Sequence, residues 1–381
     1  MPKTLLILSV SLAAVAAHAA DRQFVVHPFF VLTTEEAFTA SVATGDFNGD
    51  GALDILETNG RHWRQANRIH FNNGEGRLGH SVLMSAHEAP SYQLVPGDFD
   101  GDGDLDAIEA TDRAGAWLYR NRGDGSFTIE NTKSGPVASR SAAALDADQD
   151  GDLDVFLSNR GEAGTLLLNR GDGTFDAASV ETSESGSVGS FAADFNADGA
   201  DDLLLAVRDG DSALVLLNNG RGQFTIRKSF NLAGVDIRSV TAGDLNGDQL
   251  TDIVYGVIGG QSLVLLGDGK GGIKKQVRFG PADSNAFGLA LSDLDGDGDL
   301  DIVMARSQQS NIVFLNDGDG ATFESVELEE GRWTAPGEGE PFPDSYGVVA
   351  ADLNGDGFDE IVIANSLSPN PVYRNRAARR D

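Results

Sequence analysis

The sequence predicts an all-β fold, a seven-bladed β-propeller of four-stranded antiparallel blades whose ring is closed by the N-terminal strand. Three observations lead there. A nine-residue aspartate loop recurs seven times, at intervals of 48 to 59 residues. A glycine-rich turn follows each of the first six loops. The chain ends are complementary, one holding a strand that the last repeat lacks. Self-similarity at a fixed period of this size marks a repeat architecture, in which each unit buries its apolar face against its neighbours.

The loops come first, because their chemistry is the most specific. Positions 1, 3, 5 and 9 carry oxygen side chains throughout. They are Asp46, Asn48, Asp50 and Asp54, then Asp98, Asp100, Asp102 and Asp106, then Asp146, Asp148, Asp150 and Asp154. The fourth loop has Asp194, Asn196, Asp198 and Asp202, and the fifth Asp244, Asn246, Asp248 and Asp252. The last two have Asp293, Asp295, Asp297 and Asp301, then Asp352, Asn354, Asp356 and Glu360. Alternating hard oxygen ligands around a glycine turn, closed by a later carboxylate, suit Ca²⁺, which takes six to eight oxygens in adaptable geometry. Without a cation, carboxylates about 4 Å apart repel by roughly 4 kcal/mol per pair at an effective dielectric near 20. A solvated acidic turn explains one such loop but not seven in register. Up to seven structural Ca²⁺ ions are therefore expected. An EF-hand is excluded because its twelfth-position Glu occurs only as Glu57 and Glu109, against Leu157, Leu205, Tyr255, Met304 and Ile363 elsewhere.

The strands follow from what surrounds the loops. Apolar β-formers such as Asp252-Ile-Val254, Leu263 to Leu266 and Ile312 to Leu315 lie between closely spaced turns. Those turns read Asn121-Arg-Gly-Asp-Gly-Ser-Phe127, Asn169 to Phe175 and Asn218 to Phe224, with looser copies at Asn72, Gly267 and Asn316. Helices do not fit in such short intervals, whereas four short antiparallel strands do. The seventh unit stops at Tyr373-Arg-Asn-Arg-Ala377, before its fourth strand, and the segment around Phe24 is predicted to supply it. That closure leaves no blade unpaired and ties down both termini.

Composition bounds the function. With 59 acidic against 28 basic residues and a net charge of −31, the chain is a poor partner for nucleic acid, and the same field would repel an anionic membrane surface. Absence of cysteine removes disulfides, thiol nucleophiles and Cys-ligated metals. Lys3, the apolar run Leu5 to Ala17 and Ala17-His-Ala19 have the form of an export signal, so residues 1–19 are expected to be a signal peptide and 20–381 the propeller. The localisation expected is periplasmic or extracellular, without membrane insertion.

The loops, together with Phe287-Gly-Leu-Ala-Leu-Ser-Asp293 and Tyr346-Gly-Val-Val-Ala-Ala-Asp352, resemble the FG-GAP (also called VCBS) repeats of the integrin α-chain type of seven-bladed propeller. The resemblance covers essentially the whole chain after the signal. It implies that the loops join first and second strands on one face and bind Ca²⁺ structurally. Departures occur at Gln149 and Ala197 (position 4), at Gln249 (position 6) and at Glu360. Loops two, three and six, with Asp at position 3, are expected to bind most tightly, and loop five least.

A ligand, protein or carbohydrate, is expected on the face opposite the loops. Two long connections there hold Arg61, His62, Trp63 and Arg64, and Arg332, Trp333 and Phe342. Exposed Trp beside Arg suits recognition, while Trp117, on a strand, reads as core. The reading is a non-catalytic binding, adhesion or scaffold module, with a lectin-like binder and a propeller polysaccharide lyase or hydrolase as alternatives. The histidines beyond the signal (27, 62, 70, 80 and 87) lie in one quarter of the chain, which gives a His-based catalytic site little material. The two Arg-Gly-Asp tripeptides, at 122–124 and 170–172, fall in the repeat's own glycine turn.

Overall fold

The computed structural model describes residues 22–32, 37–183, 186–208, 212–231, 235–329 and 342–377. The expected signal peptide, Arg332 and Trp333 lie outside these residues. Among the described residues twenty-eight strands form seven four-stranded antiparallel sheets, each sheet one blade. In blade 1 the inner strand is Thr39–Gly45, followed by Asp54–Asn59, Arg68–Phe71 and the outer His80–Leu83. Blades 2 to 6 repeat that meander. Blade 7 takes its outer strand from the chain start: Arg22–Val31 pairs with Pro371–Ala377, with Phe24 opposite Asn375.

The second strand of every blade reads as a short apolar run because both of its faces are covered. Asp106–Thr111 and Asp154–Asn159, for example, are buried along their whole length. Outer strands such as His80–Leu83 are largely exposed. The apolar interior is not one core but seven, each filling the seam between adjacent blades. Val95, Ile108 and Leu118 meet Val155, Leu157 and Leu167 between blades 2 and 3, and Ile55 meets Val362 and Leu353 across the closing seam between blades 7 and 1. Phe24 packs with Leu294, Val313 and Tyr373 in the seam between blades 6 and 7, so closure is apolar as well as hydrogen-bonded.

Every inner strand runs toward its aspartate loop, and six of the seven carry a β-bulge six residues before the loop's first Asp. The bulged residues are Ala40, Tyr92, Arg140, Arg238, Phe287 and Tyr346. In blade 4 the matching residue, Val188, immediately precedes the strand Gly189–Ala193. A bulge re-aims one side chain out of the strand's alternation, and all seven residues line the central channel. The glycine after Phe287 and Tyr346 has a steric reason. A Cβ on Gly347 would stand 2.8 Å from the Ser41 Cα, and one on Gly288 3.0 Å from the Gly347 Cα, so the inner strands of blades 6, 7 and 1 approach closely only without side chains there.

Phe24→Ala is expected to lower unfolding stability by about 3 kcal/mol, the cost of an emptied aromatic site in a core. Its exposed neighbour Val25, changed to Ala, is expected to cost less than about 0.5 kcal/mol. Urea unfolding of both variants checks whether this strand closes the ring.

Candidate metal loops and the opposite channel mouth

Each loop is first organised by its own backbone. The position-1 carboxylate accepts the N–H of position 6 in all seven loops, as in Gly51 to Asp46 (2.8 Å), Gln249 to Asp244 (2.7 Å) and Gly357 to Asp352 (2.8 Å). That wrapping requires left-handed backbone at positions 4 and 6. All fourteen such residues have φ between +58° and +96°. The three departures from glycine adopt it too: Gln149 at +59°, Ala197 at +58° and Gln249 at +62°. The loop geometry overrides side-chain preference, at about 1 kcal/mol each.

Position 9 has a second task that the spacing did not disclose. Its carboxylate is buried, with exposure of 1% or less in every loop. One oxygen accepts the N–H of position 2, as in Phe47 to Asp54 (3.2 Å) and Leu294 to Asp301 (2.8 Å). In six loops the other accepts the N–H of the residue that heads the glycine turn: Asn72, Asn121, Asn169, Asn218, Gly267 and Asn316, at 2.7 to 2.9 Å. Glu360 is one methylene longer and instead accepts the Asn354 side-chain N–H at 2.6 Å. Burial pushes the position-9 groups up to about 6 in Asp54, Asp106, Asp154, Asp202 and Asp252, and to about 7 in Asp301 and Glu360.

The turn asparagines carry the connection onward. Their side-chain amides donate to the position-2 carbonyl of the preceding blade's loop: Asn121 to Phe47, Asn169 to Phe99, Asn218 to Ala147, Asn316 to Leu245, Asn375 to Leu294, and Asn72 to Leu353 around the closing seam, all at 2.7 to 2.9 Å. Blade 5 has Gly267 at this position, and Thr251 Oγ1 donates to the Asp194 carbonyl instead (2.8 Å). The Arg-Gly-Asp tripeptides sit in these same turns, where Asp124 and Asp172 accept the N–H of Ser126 and Thr174.

As metal ligands the loops are unequal. Carboxylate oxygens converge within 4.8 Å in three groups: Asp98, Asp100 and Asp106; Asp146, Asp148 and Asp154; and Asp293, Asp295 and Asp297. These are loops two, three and six. Burial, and after it like-charge neighbours, raise Asp148 and Asp295 within them, the latter to about 6. In loop five the Lys274 Nζ lies 2.7 Å from Asp248, an internal cation that compensates charge where Gln249 already strains the turn. Loop two has a comparable neighbour, Arg120 on Asp100.

The predicted ligand residues separate on the opposite face. Gly60, at φ +127°, starts a turn pinned to the inner strands: its N–H donates to the Phe38 carbonyl, and that of Arg61 donates to the Ser91 carbonyl. A Cβ on Gly60 would meet the Ala89 and Trp63 carbonyls at 2.5 and 2.6 Å. This turn throws Arg61 inward, 3.4 Å above the Tyr346 ring, and leaves Trp63 outward against Phe38, 62% exposed. His62 meets the Tyr92 hydroxyl at 3.1 Å and lies 3.6 Å from Asp112; Arg64 is exposed. Arg140 and Arg238, which the sequence reading passed over, complete the channel mouth. Their signal was present in the constant offset of six residues before each loop, but only the bulge shows that this position faces the channel. Trp117 is half-buried in the seam between blades 1 and 2. Nearby, Glu57 and Glu109 are fully buried, Glu57 paired with His70 (2.5 Å) and Glu109 held by Ser91 and Asn67.

The FG-GAP-like repeat matches six times, over residues 46–109, 98–157, 146–205, 194–255, 244–304 and 293–363. The chain belongs to the FG-GAP-like repeat family. Each match begins at the first Asp of one loop and runs through the next, so the FG-GAP unit spans a seam rather than a blade. Among solved structures the chain is similar to BBS1N, crystallised in complex with ARL6DN and soaked with mercury, at TM-score 0.58 and 9% identity, covering 92% of this chain and 97% of that one. At that identity the likeness is one of fold. No curated protein matches the chain in sequence. Among the described residues no helix is long and apolar enough to cross a membrane.

Gln249→Gly is expected to stabilise the protein by about 1 kcal/mol, because glycine adopts the left-handed conformation without strain; denaturant unfolding measures it. A pH effect also follows. The position-9 acids bind protons more tightly folded than unfolded, so without metal stability falls as pH rises from about 4 through about 7. In EDTA the melting temperature is expected to be higher at pH 5 than at pH 7.5, and excess calcium is expected to reverse that order.

Proposed function

We propose that this FG-GAP propeller is an exported, calcium-stabilised, non-catalytic binding or scaffold module whose ligand face lies opposite the loops. The observation that carries the reading is the convergence of carboxylate oxygens in loops two, three and six, on backbone wound into the same tight turn in all seven. Residues with folded pKa values pushed up in seven places are costly without a compensating positive charge. Calcium supplies that charge, with its oxygens drawn from positions 1, 3, 5 and 9. Loops two, three and six, where carboxylates converge, are the strongest candidates, and loop five, with Asn246 at position 3 and Gln249 at a left-handed position, the weakest.

Export is supported by the N-terminal signal pattern, and it suits the reading, because calcium is abundant outside the cytosol and the chain has no cysteine for disulfides. The side opposite the loops exposes Trp63, Phe342 and Leu367. A propeller of this fold has been crystallised with a protein partner, a fold-level analogy for a protein ligand.

Chelation supplies the test. Moving from millimolar calcium to EDTA at pH 7.5 is expected to lower the melting temperature by about 10 °C or more, the summed effect of several sites that bind only the folded state. Calorimetric titration should fill the fifth loop last. An unchanged melting temperature in EDTA would contradict the proposal.

A further inference from the structure

At the channel mouth opposite the loops the charge balance of the chain inverts. Arg61, Arg140 and Arg238 converge with Tyr92, Phe287 and Tyr346 on an open cavity of about 300 Å³. Two carboxylates stand beside them: Asp112 ion-pairs with Arg140 at 3.0 Å, and Asp236, whose charge reaches Arg238, lies 3.9 Å from Arg208. Neither Arg61 nor Arg238 is paired with a carboxylate among the described residues. In a chain with 59 acids and 28 bases, a cavity lined by three guanidinium groups and by no carboxylate is a local inversion of charge.

The aromatic rings hold the guanidinium groups rather than offer themselves to a ligand. Arg61 lies 3.4 Å above Tyr346, Arg140 4.3 Å above Tyr92 and Arg238 5.0 Å above Phe287, and the Phe287 and Tyr346 rings meet edge-on at 5.0 Å. A guanidinium stacked by its face keeps its N–H edges, five donors in a rigid fork, for a planar oxyanion. Burial desolvates Arg238 and, with Arg208 and Arg61 nearby and Asp236 opposing them, pushes it down to about 10, so it stays charged at neutral pH. A cationic ligand would meet three guanidinium groups already seated over the rings that line the cavity.

We propose that this mouth is a carboxylate socket that receives an acidic side chain of a protein partner, bound by Arg61 and Arg238 with Arg140 positioned by Asp112. The proposal rests on the binding-module reading and gives its ligand a chemistry. The size of the cavity suits a side chain entering end-on, and the exposed Trp63 and Phe342 on the same face suit the apolar surface that would surround it.

The test is calorimetric titration of the full, calcium-loaded chain with a blocked Glu-Gly-Glu-Gly-Glu peptide, its Gln counterpart and a trigalacturonate. The Glu peptide is expected to bind, the Gln peptide not to bind, and affinity to fall with salt. Arg238→Gln and, on the separate turn, Arg61→Gln are each expected to weaken binding about tenfold or more, the loss of a charge-assisted pair. Melting temperature in calcium reports folding of each variant, and Arg61→Gln, outside the strands, keeps the test open if Arg238→Gln misfolds. Equal binding of the Glu and Gln peptides, no binding of either, or affinity unchanged in a folded Arg61→Gln would overturn the socket. Binding of trigalacturonate alone would overturn the protein partner. A chain that binds the Glu peptide yet melts identically in EDTA would keep the socket while refuting calcium stabilisation.

Discussion

The ninth-position carboxylate of each loop is the group on which the blades depend. It is removed from water, yet both of its oxygens accept hydrogen bonds from backbone: one from its own loop and, in six blades, one from the head of the glycine turn. The turn asparagine then reaches into the preceding blade. One buried acid thus joins a loop, a turn and a seam, and the arrangement is repeated around a ring whose apolar interior is itself divided into seven seams. Burying a carboxylate raises its cost when ionised, and the backbone donors offset only part of that. The remainder is what a cation in the loop would supply. The acidity of the chain is therefore concentrated rather than diffuse: 29 of its 59 acidic residues lie inside the seven loops.

Much of this was legible in the sequence because repetition amplifies weak signals. A single aspartate-rich turn carries little information, but seven in register fix the blade number, the strand order and the strand exchange at Phe24. The loop departures were legible too, since Gln249 stands where glycine is needed and does adopt a positive φ. The role of the turn asparagines was not, because a side-chain bond to a carbonyl about 70 residues away leaves no local pattern. Nor was the channel mouth. Alternation along a strand assigns a side chain to one face or the other, and a bulge breaks that alternation at one residue. Tyr92, Arg140 and Arg238 fall on that residue. The cluster Arg61 to Arg64 was seen as one exposed group, yet the turn at Gly60 separates it into an inward arginine and an outward tryptophan.

The two faces consequently do opposite electrostatic work. One gathers carboxylates and, with seven calcium ions, would bring the net charge from −31 to −17. The other gathers guanidinium groups on aromatic supports at the axis. Inner strands connect the two: each carries the channel residue at its start and delivers the loop's first aspartate at its end.

The central claim, that loop cations hold the buried carboxylates and through them the seams, is tested most directly by hydrogen exchange at the amides of Phe47, Asn72, Phe99, Asn121, Phe195 and Asn218. These amides donate to position-9 carboxylates in three different loops. In calcium at pH 7.5 they should exchange as slowly as the fully buried second strands, and EDTA should release them together while the outer strands change little. Protection that is the same with and without calcium would contradict the account.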